Sequence, residues 1–319
     1  MNPLPTDAFP QRLKSRLKMR HYELLLALYR HRSVSRVAEQ LALSQPTVTR
    51  ALADIEDIFA APLFVRARRG LVPTPAGELV LARARAAVAE DLSLQQELRA
   101  LHDGYQGRLR IGVIPYASDQ VLGAVWRHLL GHTPRLAIQM HENTTHHLLR
   151  AVRERELDCA ICRFSRDNSR EGLVQEMLYR QQAHLVVASA SAAGVARRAQ
   201  LDIARLANMD WIFPPKDTPI RHAIEAIFAA GGHQVPTPLI ETYSIRGIAS
   251  ALQQLPRGVT ALPSDIARAV AQAGGATVLP EPLPWDLPPV GLAWLRNSAK
   301  AGAVARLAGA VRQTGEPAT

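Results

Sequence analysis

The order of apolar and polar positions divides the chain into a helical first third and a mixed remainder. Residues 1–11 contain three prolines and no period, so 1–15 reads as a disordered leader. From Arg16 to Tyr29, Leu17, Leu24, Leu25 and Leu28 recur at helical spacing, and the polar run Arg30, His31 and Arg32 ends the pattern. A second helix is expected after Ser33 or Ser35, either of which can accept a backbone N–H as a cap, with Val37, Ala38 and Leu41 buried. Ser44 caps a third helix with Pro46 in its first turn, where a missing N–H breaks no internal bond. Val48, Ala51, Leu52, Ile55 and Phe59 form its buried stripe, which leaves Pro46, Thr49, Arg50 and Ala53 outward, flanked by Gln45 and Thr47.

After Pro62, Leu63 to Arg66 and Leu71 to Pro73 read as a short hairpin with Ala67, Arg68, Arg69 and Gly70 at its tip. Thr74 and Pro75 are a cap and first-position proline for a long helix to about His102. At about 1.5 Å per residue it spans roughly 40 Å, and pairing with a copy of itself is expected. Gly104 and Gly107 mark the change to alternating strands and helices. Strands are expected at 108–114, 135–141, 157–164, 174–179, 184–188, 211–213, 259–262, 276–279 and 290–294. Helices fall at 121–130, 145–155, 220–230, 245–255 and 265–273, and the proline-rich run 280–289 suits a crossover between two lobes.

Composition narrows the class. At 319 residues the chain is long enough for two or three domains. With 47% hydrophobic and 21% charged residues it resembles a globular protein, and no run approaches the ~18 apolar residues of a membrane span. No secretory signal is visible, so a cytoplasmic location is expected. Two cysteines, Cys159 and Cys162, cannot make a disulfide framework. The net charge is +10, and residues 11–74 hold twelve Lys or Arg against five acids, so the excess is concentrated where the helices are short. Such a charge fits a polyanionic partner, and double-stranded DNA is the expected one.

The candidate chemistry in this first region is recognition. Small or hydrogen-bonding side chains at a helix N-terminus allow close approach to base edges and phosphates. Arg66, Arg68 and Arg69 on the hairpin can reach phosphates or the minor groove, although a charge run is often only a solvated face. Cys159 and Cys162 lie in an apolar strand, three residues apart and on opposite faces, so burial is preferred to redox or metal chemistry. His141, His146 and His147 lack an accompanying ligand cluster. No nucleophile elbow, Walker loop or dinucleotide fingerprint is present, so neither a catalytic site nor a cofactor is expected.

The stretch SVSRVAEQLALSQPTVTRALADIEDIFAAPLFVRARRGLVPTPAGELVL, Ser33 to Leu81, closely resembles the LysR-type transcriptional regulators. SQPTVTR, an apolar helix, PLFxR and LxPTPAG in that order are far more specific than a helix-turn-helix alone. The resemblance extends over roughly 16–314 and weakens after Leu81. It implies a winged helix-turn-helix (16–74), a linker and dimerisation helix (75–104) and a two-lobed α/β effector domain like a type 2 periplasmic binding protein (105–319). Lobe I would take about 105–183 and 284–319, and lobe II about 184–283. The DNA-contacting set is then Ser33, Ser35, Arg36, Ser44, Gln45, Pro46, Thr47, Thr49, Arg50, Arg66, Arg68 and Arg69. Ala60-Ala61 stands where the family usually has a glycine-containing turn, and Val37 where alanine is commoner.

A small-molecule effector is expected at the carboxyl ends of the strands between the lobes. Family resemblance and strand position nominate Tyr116, Ser118, Thr144, Thr145, Arg163 and Phe164 on one side. Opposite them stand Pro215, Lys216 and Asp217, with Tyr243, Ser244, Pro263 and Ser264. Ser118, Thr144 and Ser244 at helix starts, with Arg163 and Lys216, favour an aromatic or sugar carboxylate. The further partners expected are a second or further copies of the chain, as homodimer or homotetramer, and RNA polymerase, with no membrane. The alternative is an α/β small-molecule-binding protein or enzyme with an accessory DNA-binding domain.

Overall fold

A computed structural model describes residues 15–68, 70–133, 135–164, 172–195, 202–283 and 287–314. Two compact units emerge: the first takes the chain to Arg99 together with Glu154–Glu156, the second runs Ala100–Arg153 and Leu157–Thr319. Of the expected leader at 1–15, residues 1–14 lie outside the described residues, as does Arg69, while Ser15 is helical.

The first unit opens with α1 (Met19–His31), α2 (Val34–Gln40) and α3 (Gln45–Phe59). α1 starts later than its leucines foretell, because Lys18 is extended and donates its N–H to His21 Nδ1 at 3.2 Å. Of the two candidate caps for α2, Ser33 is used: its Oγ accepts the Arg36 N–H. Leu41 corrects the expected core, since α2 stops at Gln40 and the following turn leaves Leu41 exposed. Ser44 Oγ accepts the Thr47 N–H at 3.3 Å and pairs with Thr47 Oγ1 at 2.8 Å, with Pro46 in the first turn. Leu25, Leu28, Val37, Val48, Ile55 and Leu63 make the centre of this small core.

β1 (Phe64–Ala67) and β2 (Gly70–Pro73) pair antiparallel, with Ala67 opposite Gly70. Gly70 has φ +100, and a Cβ there would stand 2.3 Å from the Arg32 carbonyl oxygen, which accepts the Leu71 N–H at 2.9 Å. The hairpin is thereby tied to the end of α1. α4 (Pro75–His102) begins at an equally close joint. Thr74 Oγ1 donates to the Pro62 carbonyl at 2.7 Å and accepts the Gly77 N–H at 3.0 Å. A Cβ on Gly77 would come within 2.0 Å of the Leu63 carbonyl oxygen. The proline, threonine and glycine of LxPTPAG therefore each have a separate geometric reason.

The second unit holds two five-stranded sheets. Lobe I contains β3 (Gly107–Val113), α5 (Asp119–Leu130), β4 (Leu136–Glu142), α6 (Thr145–Arg153), β5 (Cys159–Arg163) and β6 (Leu173–Tyr179). Lobe II follows with β7 (Ala183–Ala188), α7 (Ser189–Val195), α8 (Ile203–Ala207), β8 (Asp210–Phe213), α9 (Pro219–Ala230) and β9 (Ile240–Glu241). It ends with α10 (Ile245–Gln254), β10 (Gly258–Pro263), α11 (Ser264–Gln272) and β11 (Ala276–Pro282). The chain then returns to lobe I as β12 (Val290–Leu295) and α12 (Ala301–Thr314).

The lobe I sheet has the order β4-β3-β5-β12-β6, with β3 parallel to β4 and β5, and β12 antiparallel to β5 and β6. The lobe II sheet has the order β11-β7-β10-β8-β9, with β10, β8 and β9 parallel. Each lobe has its own apolar core, one around Ile111, Val125, Leu148 and Ile161, the other around Leu185, Trp211, Phe213 and Phe228. The chain passes between them after Tyr179 and again after Pro282. Both cysteines are buried as expected. α7, α8, β9 and α12 are additions to the elements expected from the sequence.

Candidate DNA-reading face and interlobe cavity

The first turn of α3 is exposed at every position from Ser44 to Arg50 except Val48, which is fully buried. Burying Val48 turns Gln45, Pro46, Thr49 and Arg50 outward together. Arg36 is exposed and Ser33 and Ser35 are half-buried; Arg66 and Arg68 are exposed on the hairpin. α3 carries no acidic residue in its first turn, so the positive end of its dipole is not neutralised. Structurally this is a solvent-facing helix start flanked by arginines, suited to phosphates and base edges.

In the second unit, a cavity of about 40 Å³ lies where the carboxyl ends of β3, β4 and β5 in lobe I meet those of β8 and β9 in lobe II. Its lining includes Tyr116, Thr144, Thr145, Arg163, Asp217 and Tyr243 from the expected set. Ile114, Pro115, Thr218, Pro219 and Ile220 also line it and were not anticipated. The last three carried a usable signal: Thr218-Pro219 repeats the cap-plus-proline pair of Thr74-Pro75, and Thr218 Oγ1 accepts the Arg221 N–H to start α9.

The remaining expected residues are engaged elsewhere. The Ser118 N–H donates to the Tyr179 hydroxyl at 2.8 Å. Phe164 packs over β12, where a Cβ on Gly291 would stand 2.3 Å from its ring. The Pro215 carbonyl accepts from Thr218 Oγ1, Ser244 Oγ caps Gly247, and Ser264 Oγ donates to the Gln182 carbonyl just after Pro263 ends β10. Lys216 is exposed and does not line the cavity.

A hydrogen bond joins the lobes across the cavity: Thr144 Oγ1 donates to Asp217 Oδ2 at 2.8 Å. With its proton given to Asp217, the same hydroxyl accepts from His147 Nδ1 at 2.9 Å. A second polar chain runs through both crossovers. Arg163 Nη1 donates to the Pro288 carbonyl at 3.0 Å and Nη2 to Gln181 Oε1 at 2.5 Å. Gln181 Nε2 in turn donates to the Tyr116 carbonyl at 3.2 Å and to Asp265 Oδ1 at 3.1 Å. Burial lowers the Arg163 pKa to about 10, with Tyr179 and Asp265 opposing. Burial likewise pushes the Tyr179 hydroxyl up to about 12.

A head of three helices and a hairpin, a long helix and two α/β lobes around a cavity match known sequences along nearly the whole chain. The model of the LysR substrate binding domain matches residues 102–316, and that of the bacterial regulatory helix-turn-helix protein, lysR family, matches 19–78. The chain belongs to the LysR family. It is a DNA-binding transcriptional regulator with an effector-binding domain. Among LysR-family relatives, the HTH-type transcriptional regulator GbpR of Azospirillum brasilense is 28% identical over 285 residues, covering 89% of this chain and 83% of that protein. Full-length CbnR complexed with its target DNA shares the fold at TM-score 0.61 and 16% identity, covering 93% of this chain and 100% of CbnR. A full-length OxyR variant from Pseudomonas aeruginosa does so at TM-score 0.55 and 20% identity, covering 95% of this chain and 98% of OxyR. Among the described residues of this LysR-family chain, no helix is long and apolar enough to cross a membrane.

Proposed function

We propose that the chain reads a pseudo-palindromic duplex site as a homodimer or homotetramer, and that a small molecule in the interlobe cavity biases the arrangement of its lobes and so its DNA complex. The observation that carries this reading is the Thr144–Asp217 hydrogen bond, made between lobes at the rim of the cavity. A ligand entering there must disturb a polar contact that spans the cavity, so it distinguishes closed from open lobes, which is what a population shift requires. At about 40 Å³ the cavity has room for water but not for a metabolite, so occupation requires opening.

Contacts from Ser33, Ser35, Arg36, Ser44, Gln45, Pro46, Thr47, Thr49, Arg50, Arg66, Arg68 and Arg69 to the duplex belong to this reading, as do a cytoplasmic location and RNA polymerase as the partner of the bound regulator. Catalysis is not part of it. The relatives are transcriptional regulators. Footprinting with and without a stabilising ligand tests the reading: footprint length or bend changes on ligand addition if it holds. An identical footprint with ligand bound overturns it.

A further inference from the structure

The polar groups around the cavity are unevenly satisfied. Thr145 Oγ1 accepts the Arg163 N–H, and Thr218 Oγ1 is taken by the Arg221 N–H and the Pro215 carbonyl. Arg163 is held by both crossovers. Three groups are left without a protein partner among the described residues, Asp217 Oδ1 and the hydroxyls of Tyr116 and Tyr243; Asp217 is exposed, so these groups are open to water or to a ligand that displaces it. A carboxylate oxygen only accepts, whereas a phenol both donates and accepts.

A simple carboxylate ligand has no proton to give Asp217 at neutral pH and is repelled by it. An ammonium would pair with Asp217 but, having no lone pair, could not accept from the two phenols. Hydroxyl groups meet all three needs, and Ile114, Pro115, Pro219 and Ile220 supply apolar walls for the C–H faces of a small ring. Thr144 shows the required contact already, since its hydroxyl occupies Asp217 Oδ2 in the closed lobes.

We infer that the effector is a polyhydroxylated molecule, a sugar or sugar acid, one of whose hydroxyls takes the place of Thr144 on Asp217 as the lobes part. Asp217 is then the specificity-determining residue and Thr144 the intramolecular competitor. This inference rests on the reading of the cavity as the effector site, and it narrows the expected aromatic or sugar carboxylate to a ligand chosen by its hydroxyls.

The test is calorimetric titration of the full-length protein with D-glucose, D-galactose, myo-inositol, D-gluconate, D-galactonate and benzoate. At least one hydroxylated probe binds and benzoate does not; neutral sugars against the two aldonates separate sugar from sugar acid. Asp217→Ala weakens that binding by about tenfold or more, the worth of a hydrogen bond to a charged group. Thr144→Val acts in the opposite direction, tightening it about threefold by freeing Asp217 and raising the open fraction. A role in folding alone would not produce opposite signs. Binding of benzoate alone, no binding by any hydroxylated probe, or indifference to Asp217→Ala overturns the inference. Pro219→Trp, checked for folding by circular dichroism, fills the cavity. If a bound probe survives it, the effector-site reading itself fails; if Pro219→Trp abolishes binding and Asp217→Ala does not, only the ligand class is wrong.

Discussion

Arg110 and Asp158 lie side by side in the interior of lobe I, where the carboxylate accepts the Arg110 backbone N–H at 2.7 Å and its guanidinium at 2.9 Å. Lys300, at the start of α12, adds a third contact at 3.2 Å. Burial alone raises the Asp158 pKa, but the Arg110 hydrogen bonds and the Lys300 charge outweigh it and hold it below the usual range. A carboxyl lowered on folding stabilises fully above its unfolded pKa of about 3.9, and that stabilisation is lost as pH falls through the folded value. Asp158→Asn leaves Arg110 buried without its counter-charge and costs about 3–5 kcal/mol at pH 7. Urea titrations of both proteins should show the gap narrowing below about pH 4.

Ala60 ends α3 with φ 51 and ψ 31, the left-handed conformation that the usual glycine adopts without strain. Ala60→Gly relieves about 1–2 kcal/mol of steric cost and returns about 0.4–1 in unfolded-chain entropy. The variant should be more stable by several tenths to about 1 kcal/mol in thermal or denaturant unfolding. A loss of stability would mean that the Ala60 methyl group packs usefully.

Arg50 and Arg68 should separate by salt dependence. If Arg50 reads a base edge, Arg50→Ala weakens specific binding by about 1–3 kcal/mol and relaxes preference at one position. Arg68→Ala weakens binding to all duplexes and reduces the salt slope by about 1. Fluorescence anisotropy over a salt series distinguishes them, and parental binding by both variants would misplace the DNA face.

Cys159 and Cys162 should be inert in the folded protein. Both are fully buried; burial raises the Cys159 thiol above its ordinary range and moves that of Cys162 to about 12. Thiol labelling at pH 8 should proceed only after denaturation, and hydrogen peroxide should leave DNA binding unchanged. Rapid labelling of native protein would show that the strand opens.

How much of this could be read in advance depended on whether the signal was local. Ser44, Pro46, Thr74 and Pro75 announce their elements because a cap or a fixed φ acts within four residues. The six expected residues that line the cavity follow from one rule, that ligands meet the carboxyl ends of strands. The rule is silent on where a long side chain points. Arg163 sits at the expected strand end, but its guanidinium extends to the crossovers, and Lys216 beside Asp217 stays outside. Leu41 fits the apolar period of α2 and is nevertheless exposed, since the helix stops one residue earlier. α12 buries Val304, Leu307, Ala308 and Val311 at helical spacing, a pattern diluted by the alanines and glycines around it.

The joint at Thr74 and Gly77 makes the beginning of α4 part of the head's own framework, with no slack residue between the base of the hairpin and the first helical turn. A glycine hinge here would let the head swivel; this glycine does the reverse, because its missing side chain is what allows helix and hairpin to touch. The long helix thus works as a handle rather than a tether. In an assembly of two chains, the angle at which two such handles cross would set the distance between heads, and the half-site spacing of the operator would be measured by that angle rather than by either head alone.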